Sequence, residues 1–144
     1  MNILVLYNSQ RGHTHAAAKA IAQTVDDLSH QAIMKRIVDA SPADVDAADA
    51  LFIGTWVHGL ILFGVEPAGA EYWVPNLPSL DGKPVGIFCT YAFHPRRSLQ
   101  TLTDMLAERG AHVVGQRAFH RSRPGSGAER FIESVLQSAQ SSHV

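Results

Sequence analysis

Cysteine is almost absent from this chain. Among 144 residues only Cys89 carries a thiol, and it lies inside the apolar run Val85-Gly86-Ile87-Phe88-Cys89. A lone thiol in such a run gives neither a disulfide framework nor a dithiol redox pair, and it behaves as a small hydrophobe. A dominant charge is missing too, since 12 Lys and Arg against 13 Asp and Glu leave a net charge of -1. Without a long basic run there is no footprint for nucleic acid or an anionic membrane surface. Long apolar runs are lacking as well, all falling well short of the ~20 residues that a membrane helix needs. The first residues enter a strand pattern at once, without the charged and apolar regions of a secretory signal. These absences lead us to expect a cytoplasmic protein with no membrane span. Repeats and linker-like segments are also absent, so one domain over residues 1–144 is expected. A hydrophobic content of 46% is ordinary for a globular chain of this size.

What is present is an alternation of strand-like and helix-like patterns, which argues for a parallel sheet covered on both faces. Ile3-Leu4-Val5-Leu6-Tyr7 reads as the first strand. Ala17, Ala20, Ile21, Thr24, Val25 and Leu28 follow at helical spacing and are expected to face the sheet. Residues 32–38 read as a more polar edge strand, and Ser41-Pro42 as a cap with proline opening a short helix. Residues 50–54 and 85–89 read as buried strands. Between them lies a long segment, 55–81, with three prolines and three glycines and one short helix expected near Pro67 to Trp73. Segments of that length in compact domains are usually functional. Pro95 is expected to open a helix lined by Leu99, Leu102 and Leu106 and ended by Gly110. The fifth strand begins at 111–115 and continues toward Phe119. Ser126 with Glu129 predicts a capping box for a last helix carrying Ile132, Val135, Leu136 and Ala139 inward, with fraying from Gln140.

The chain is organised around Ser9-Gln10-Arg11-Gly12-His13-Thr14, placed between the first strand and an alanine-rich helix. A strand that turns abruptly into a helix presents unpaired N–H groups and the positive end of the helix dipole, which together suit a phosphate. Ser9 and Thr14 add hydroxyl donors, and Gly12 permits close approach of the backbone. No lysine follows the glycine, as a nucleoside-triphosphate loop requires, and a single glycine does not make the dinucleotide fingerprint.

From Val5 to Ile21 these residues resemble the flavodoxin signature: two aliphatics, the aromatic Tyr7, then Ser9, a small residue at Gly12, Thr14, Ala18 and an aliphatic at Ile21. The resemblance implies a doubly wound α/β fold with a five-stranded parallel sheet of order 2-1-3-4-5 and FMN at its C-terminal edge. It also implies that Ser9 through Thr14 hold the terminal phosphate. The absence of a large insertion in the fifth strand suits the short-chain type. Thr55-Trp56-Val57-His58-Gly59 is similar to the threonine-tryptophan-x-x-glycine segment that many flavodoxins set against one face of the flavin ring. An exposed indole offers a large flat surface for such stacking. Trp73 has no such neighbourhood and is assigned to the core.

The loop after the fourth strand departs from the family pattern. Typical flavodoxins have a loop containing glycine and aspartate that delivers a tyrosine to the second flavin face. Here the loop is Thr90-Tyr91-Ala92-Phe93-His94-Pro95-Arg96-Arg97. Tyr91 is the candidate stacking ring, Phe93 its substitute, and the acid is replaced by bases. Arg96 and Arg97 are expected in the first turn of a helix, where their charge opposes the dipole, which hints at a ligand or partner. Positive charge near the flavin, from His94 or an arginine, would stabilise the anionic reduced form. A potential less negative than that of acidic flavodoxins is therefore expected.

Of the eight histidines, His13, His15, His58 and His94 fall in or beside the ligand-side loops. Their spacing fits no zinc signature and no metal is expected. His13 suits a phosphate contact, and His58 or His94 a proton supply; His30, His112, His120 and His143 are assigned to structure or surface. The favoured reading is an electron carrier served by a reductase and an acceptor protein. An FMN-dependent quinone or porphyrinogen oxidoreductase is an alternative, with Leu60-Ile61-Leu62-Phe63 as a substrate or dimer surface. A flavin-free scaffold on the same fold is another. A phosphoacceptor receiver would need acids where the chain has Tyr7-Asn8 and Gly54-Thr55, and is rejected.

Overall fold

The computed structural model describes residues 1–58, 66–67, 69–95 and 97–141, with backbone alone at 58, 66 and 67. The apolar runs form strands β1 (Asn2–Tyr7), β2 (Gln31–Arg36), β3 (Ala50–His58), the two-residue β4 (Glu66–Pro67), β5 (Pro84–Tyr91) and β6 (His112–His120). The helices are α1 (His13–Asp27), α2 (Pro42–Ala47), α3 (Ala70–Trp73), α4 (Ser98–Ala107) and α5 (Glu129–Ser141). The five longer strands pair in parallel in the order β2-β1-β3-β5-β6, and β4 pairs antiparallel with the end of β3. Counted over the parallel strands alone this is the 2-1-3-4-5 order expected from the resemblance.

Strand burial follows from position. Ile3 to Leu6 of β1 and Pro84 to Thr90 of β5 are buried on both faces, as central strands under two helix layers must be. β2 has one partner and alternates between exposed and half-buried residues. Alternate side chains then split the core in two. On one face Ile3, Val5, Phe52 and Phe88 meet Ala17, Ile21 and Val25 of α1 and Ile132 and Val135 of α5. On the other, Leu4, Leu6, Leu51 and Ile87 meet Val45, Trp73, Leu102 and Leu106. Each fully buried aliphatic of this kind contributes about 1.5–3 kcal/mol. Cys89 is buried among them, and burial pushes its thiol up to about 12.

Several boundaries differ from the sequence reading, each for a local reason. α1 ends at Asp27, so Leu28 lies past the sheet and is 43% exposed, while Thr14, Ala18 and Ala22 join the inward face. β2 stops at Arg36 and a 3-10 turn over Ile37–Asp39 buries Ile37 and exposes Val38. The short helix expected from Pro67 occupies Ala70–Trp73. α4 starts at Ser98 rather than Pro95, whose carbonyl accepts the Ser98 N–H at 3.0 Å, so Arg97 flanks the helix instead of lying in its first turn. α5 starts at Glu129, two residues later than a Ser126 cap requires. Its first bond runs from the Ile132 N–H to the Ala128 carbonyl at 2.9 Å. Gln140 and Ser141 are helical rather than frayed. At α2 the Ser41 cap holds, with a full capping box to Asp44.

The strand order reverses between β1 and β3, so the crossovers leave in opposite directions and their loops part at the C-terminal edge. Registers place Tyr7 beside Gly54 and Trp56 beside Thr90, which brings the ends of β1, β3 and β5 to one level.

Candidate functional site

At that level a cavity of about 300 Å³ is lined by Ser9, Gln10, Arg11, His13, Thr14, Trp56, Val57, Thr90, Tyr91, Ala92 and Arg121. Its size is at the lower end of the range for small-molecule sites. Three segments build it. The first is residues 8–12, anchored at its root where the Asn8 N–H donates to the Gly54 carbonyl at 2.9 Å and the Asn8 amide donates to Thr55 Oγ1 at 3.1 Å. Gly12 closes the loop at φ +89°, a left-handed conformation that favours glycine, and opens α1 without a side-chain cap. The Ser9 hydroxyl oxygen accepts the Gly12 N–H at 3.1 Å, so its own proton is free to be donated to a ligand. The first N–H groups of α1 have no acceptor within the helix.

The second is the end of β3, which supplies Trp56 and Val57, both half-buried. The third is the end of β5 with the turn after it, which supply Thr90 and Tyr91 from the strand and Ala92 from the turn. The Thr14 and Thr90 hydroxyls lie 2.8 Å apart in a buried contact that ties the first segment to the third. The Tyr91 ring stands edge-on to His120, with centroids 5.4 Å apart. His120 in turn bonds the Ala92 carbonyl at 2.9 Å.

Not every residue picked from the sequence lines the cavity. Thr55 is fully buried and holds Asn8, a bracing role. Gly12 shapes the loop but is not part of the lining. Phe93 is 70% exposed and His94 is exposed, because the chain turns outward after Ala92. His15 packs edge-on against Tyr7 at 5.0 Å and is likewise outside the lining. Only the backbone of His58 is described. Gly59, the Leu60 to Phe63 segment, Arg96 and His143 lie outside the described residues.

Arg121 and Ala92 also line the cavity, although no sequence pattern singles them out. Arg121 follows β6, and its N–H donates to the Tyr91 carbonyl at 2.8 Å, which sets the end of β6 beside the third segment. The doubly wound order, which neighbours the last two strands, is the signal that points there. Arg11 and Arg121 make the lining cationic, and among the described residues no carboxylate contributes to it. Among the described residues no group of three His, Cys, Asp or Glu side chains converges as a metal site would require.

The family model described as a flavodoxin domain matches residues 4–116. No curated protein sequence matches the chain. Among solved structures, the two-electron reduced flavodoxin of Megasphaera elsdenii superposes with a TM-score of 0.76 at 24% identity, over 96% of this chain and 98% of that one. The Streptococcus pneumonia TIGR4 flavodoxin gives 0.69 at 18% identity over all of both chains. Rubredoxin oxygen:oxidoreductase from Desulfovibrio gigas gives 0.73 at 12% identity over 97% of this chain and 36% of that much longer one. At these identities the structural likeness speaks for the fold alone.

Proposed function

The chain belongs to the flavodoxin family, a family that binds FMN, and from that premise we propose that it works as a cytoplasmic electron carrier with FMN in the cavity described above. The observation that supports this most is the convergence of a phosphate-type loop and two aromatic side chains on one cavity. The residues present suit the group. Hydroxyls on Ser9 and Thr14 and the first N–H groups of α1 form a donor set for a phosphate, with Arg11 and His13 in the same lining. Trp56 and Tyr91 offer flat apolar surface for a ring system.

When bound, FMN supplies the reversible uptake of electrons, so the protein need provide no nucleophile. Ser9, Thr14 and the loop backbone bind and orient. Trp56, Val57 and Tyr91 exclude water. Arg11 and Arg121 favour negative charge arriving in the cavity, which raises the potential relative to a flavodoxin with acidic surroundings, and a redox titration reads that shift.

A carrier and an enzyme separate in one experiment. The FMN-loaded protein, photoreduced with EDTA as the electron donor, is expected to pass electrons to a one-electron acceptor protein. Alone with NADPH and a quinone it is expected to show no turnover. Sustained turnover of that mixture would overturn the carrier reading in favour of a substrate-reducing enzyme.

A further inference from the structure

We propose that the edge of the molecule around the cavity docks an acidic electron-transfer protein, an inference that rests on the carrier reading above. Arg11 and Arg121 line the cavity, and Arg97 and Arg123 stand exposed on the segments that flank Tyr91 and Arg121. Among the described residues none of these four guanidinium groups pairs with a carboxylate, whereas Lys35 pairs with Asp44 at 2.8 Å. Phe93, 70% exposed, projects from the same edge. Arginine around an exposed aromatic is the composition that anchors protein interfaces.

Asp39, after β2, and Glu71, on α3, share the cavity's end of the sheet, and a larger group of acids lies at the other end. Asp49 accepts the Asn2 N–H at 2.8 Å at the start of β1, and Asp26 accepts the Ala32 N–H at 3.1 Å at the start of β2. Asp81 lies in the turn before β5, bonded to Ser79. A strand of this length separates the two edges by about 25 Å at ~3.3 Å per residue. That exceeds the ~8 Å screening length at physiological salt. A partner approaching the cavity therefore meets the arginines and is steered by them, although the molecule as a whole is close to neutral. A nucleic acid fits less well, since tight binding there draws on a wider field of about 6–10 phosphate contacts.

The test has a flavin-dependent arm and a flavin-independent arm. In the first, the FMN-loaded protein, photoreduced with EDTA as the electron donor, is oxidised by ferricyanide or by hexaammineruthenium(III), each ion accepting one electron. The ferricyanide rate is expected to fall several-fold between low and high salt and the ruthenium rate to rise. Arg97→Gln with Arg123→Gln is expected to flatten both slopes while leaving FMN affinity unchanged. Opposite signs, or slopes unmoved by the double variant, would overturn the proposal.

In the second arm, the protein without added flavin is passed over an immobilised acidic plant-type ferredoxin. Binding at low salt that is lost in the double variant supports the surface whether or not FMN is retained. A protein that takes up no flavin yet still binds the ferredoxin overturns only the carrier reading. Preference for duplex DNA over the ferredoxin at physiological salt would overturn the docking proposal itself.

Discussion

Thr14 and Thr90 are 76 positions apart in sequence, yet their hydroxyl oxygens lie 2.8 Å apart, both buried and both lining the cavity. The pair holds two protons and spends one on the mutual bond, so one remains to be donated to a ligand. Thr14→Val keeps the shape but leaves the Thr90 hydroxyl without its partner, a loss of about 1–3 kcal/mol for a buried polar group. The urea midpoint is expected to fall accordingly. FMN affinity, followed by quenching of flavin fluorescence, is expected to weaken about tenfold or more, since a charge-assisted bond contributes roughly 1.5–3 kcal/mol.

The Tyr91 loop depends on a histidine that the sequence assigns only to structure or surface. The Ser122 N–H is directed at His120 Nδ1 at 3.2 Å, so Nδ1 accepts and Nε2 carries the proton donated to the Ala92 carbonyl at 2.9 Å. His120→Phe keeps an aromatic edge against Tyr91 but removes that bond, worth about 0.5–1.5 kcal/mol. FMN binding is expected to weaken several-fold in a fluorescence titration, while the unfolding free energy from urea titration changes by less than about 1 kcal/mol, because the contact is exposed.

The sequence carried the first loop and the strand order well because those signals are local or inherited from one signature. Ser9, Gly12 and Thr14 sit in a stretch whose strand, turn and helix all read alike. What it could not carry was pairing between distant segments. Arg121 reaches the cavity only because β5 and β6 are in register up to Tyr91 and His120. Phe93 and His94 are sequence neighbours of Tyr91, yet the turn after Ala92 sends them outward. Ser126 and Glu129 matched a capping box by spacing, but Gly127 at φ +70° interrupts the path and α5 begins after it.

Beneath the cavity, Gly54 allows β3 and β5 to share one ring. A Cβ at position 54 would fall 2.2 Å from Cε2 of Phe88, a fully buried side chain. Gly54→Ala therefore forces Phe88 from its rotamer. A loss of about 1–3 kcal/mol or more is expected, the usual range for overpacking, read as a lowered urea midpoint. Gly54→Ala with Phe88→Leu is expected to recover part of it, since the clashing ring is gone. No recovery would show that the backbone and not the ring sets the limit.

Acid stability has an identifiable contributor away from the cavity. The Lys35 ammonium, followed by the Ser41 backbone and side chain, holds the Asp44 carboxyl at about 2, below its ordinary 3.8. A depressed carboxyl stabilises the fold above the unfolded value and loses that contribution as pH falls from about 4 toward 2. Urea midpoints of the wild type are expected to drop across that window. Asp44→Asn is expected to be less stable at neutral pH and to show a shallower drop. Parallel curves for the two proteins would remove Asp44 from the explanation.

Retention of FMN after desalting, followed in the visible spectrum, tests the central claim most directly. Purified protein mixed with excess FMN is expected to keep yellow absorbance with perturbed flavin bands. The double variant Ser9→Ala, Thr14→Ala is expected to lose the colour while remaining folded by circular dichroism. A wild-type protein that emerges colourless would contradict the cavity as a flavin site and leave the fold serving as a scaffold.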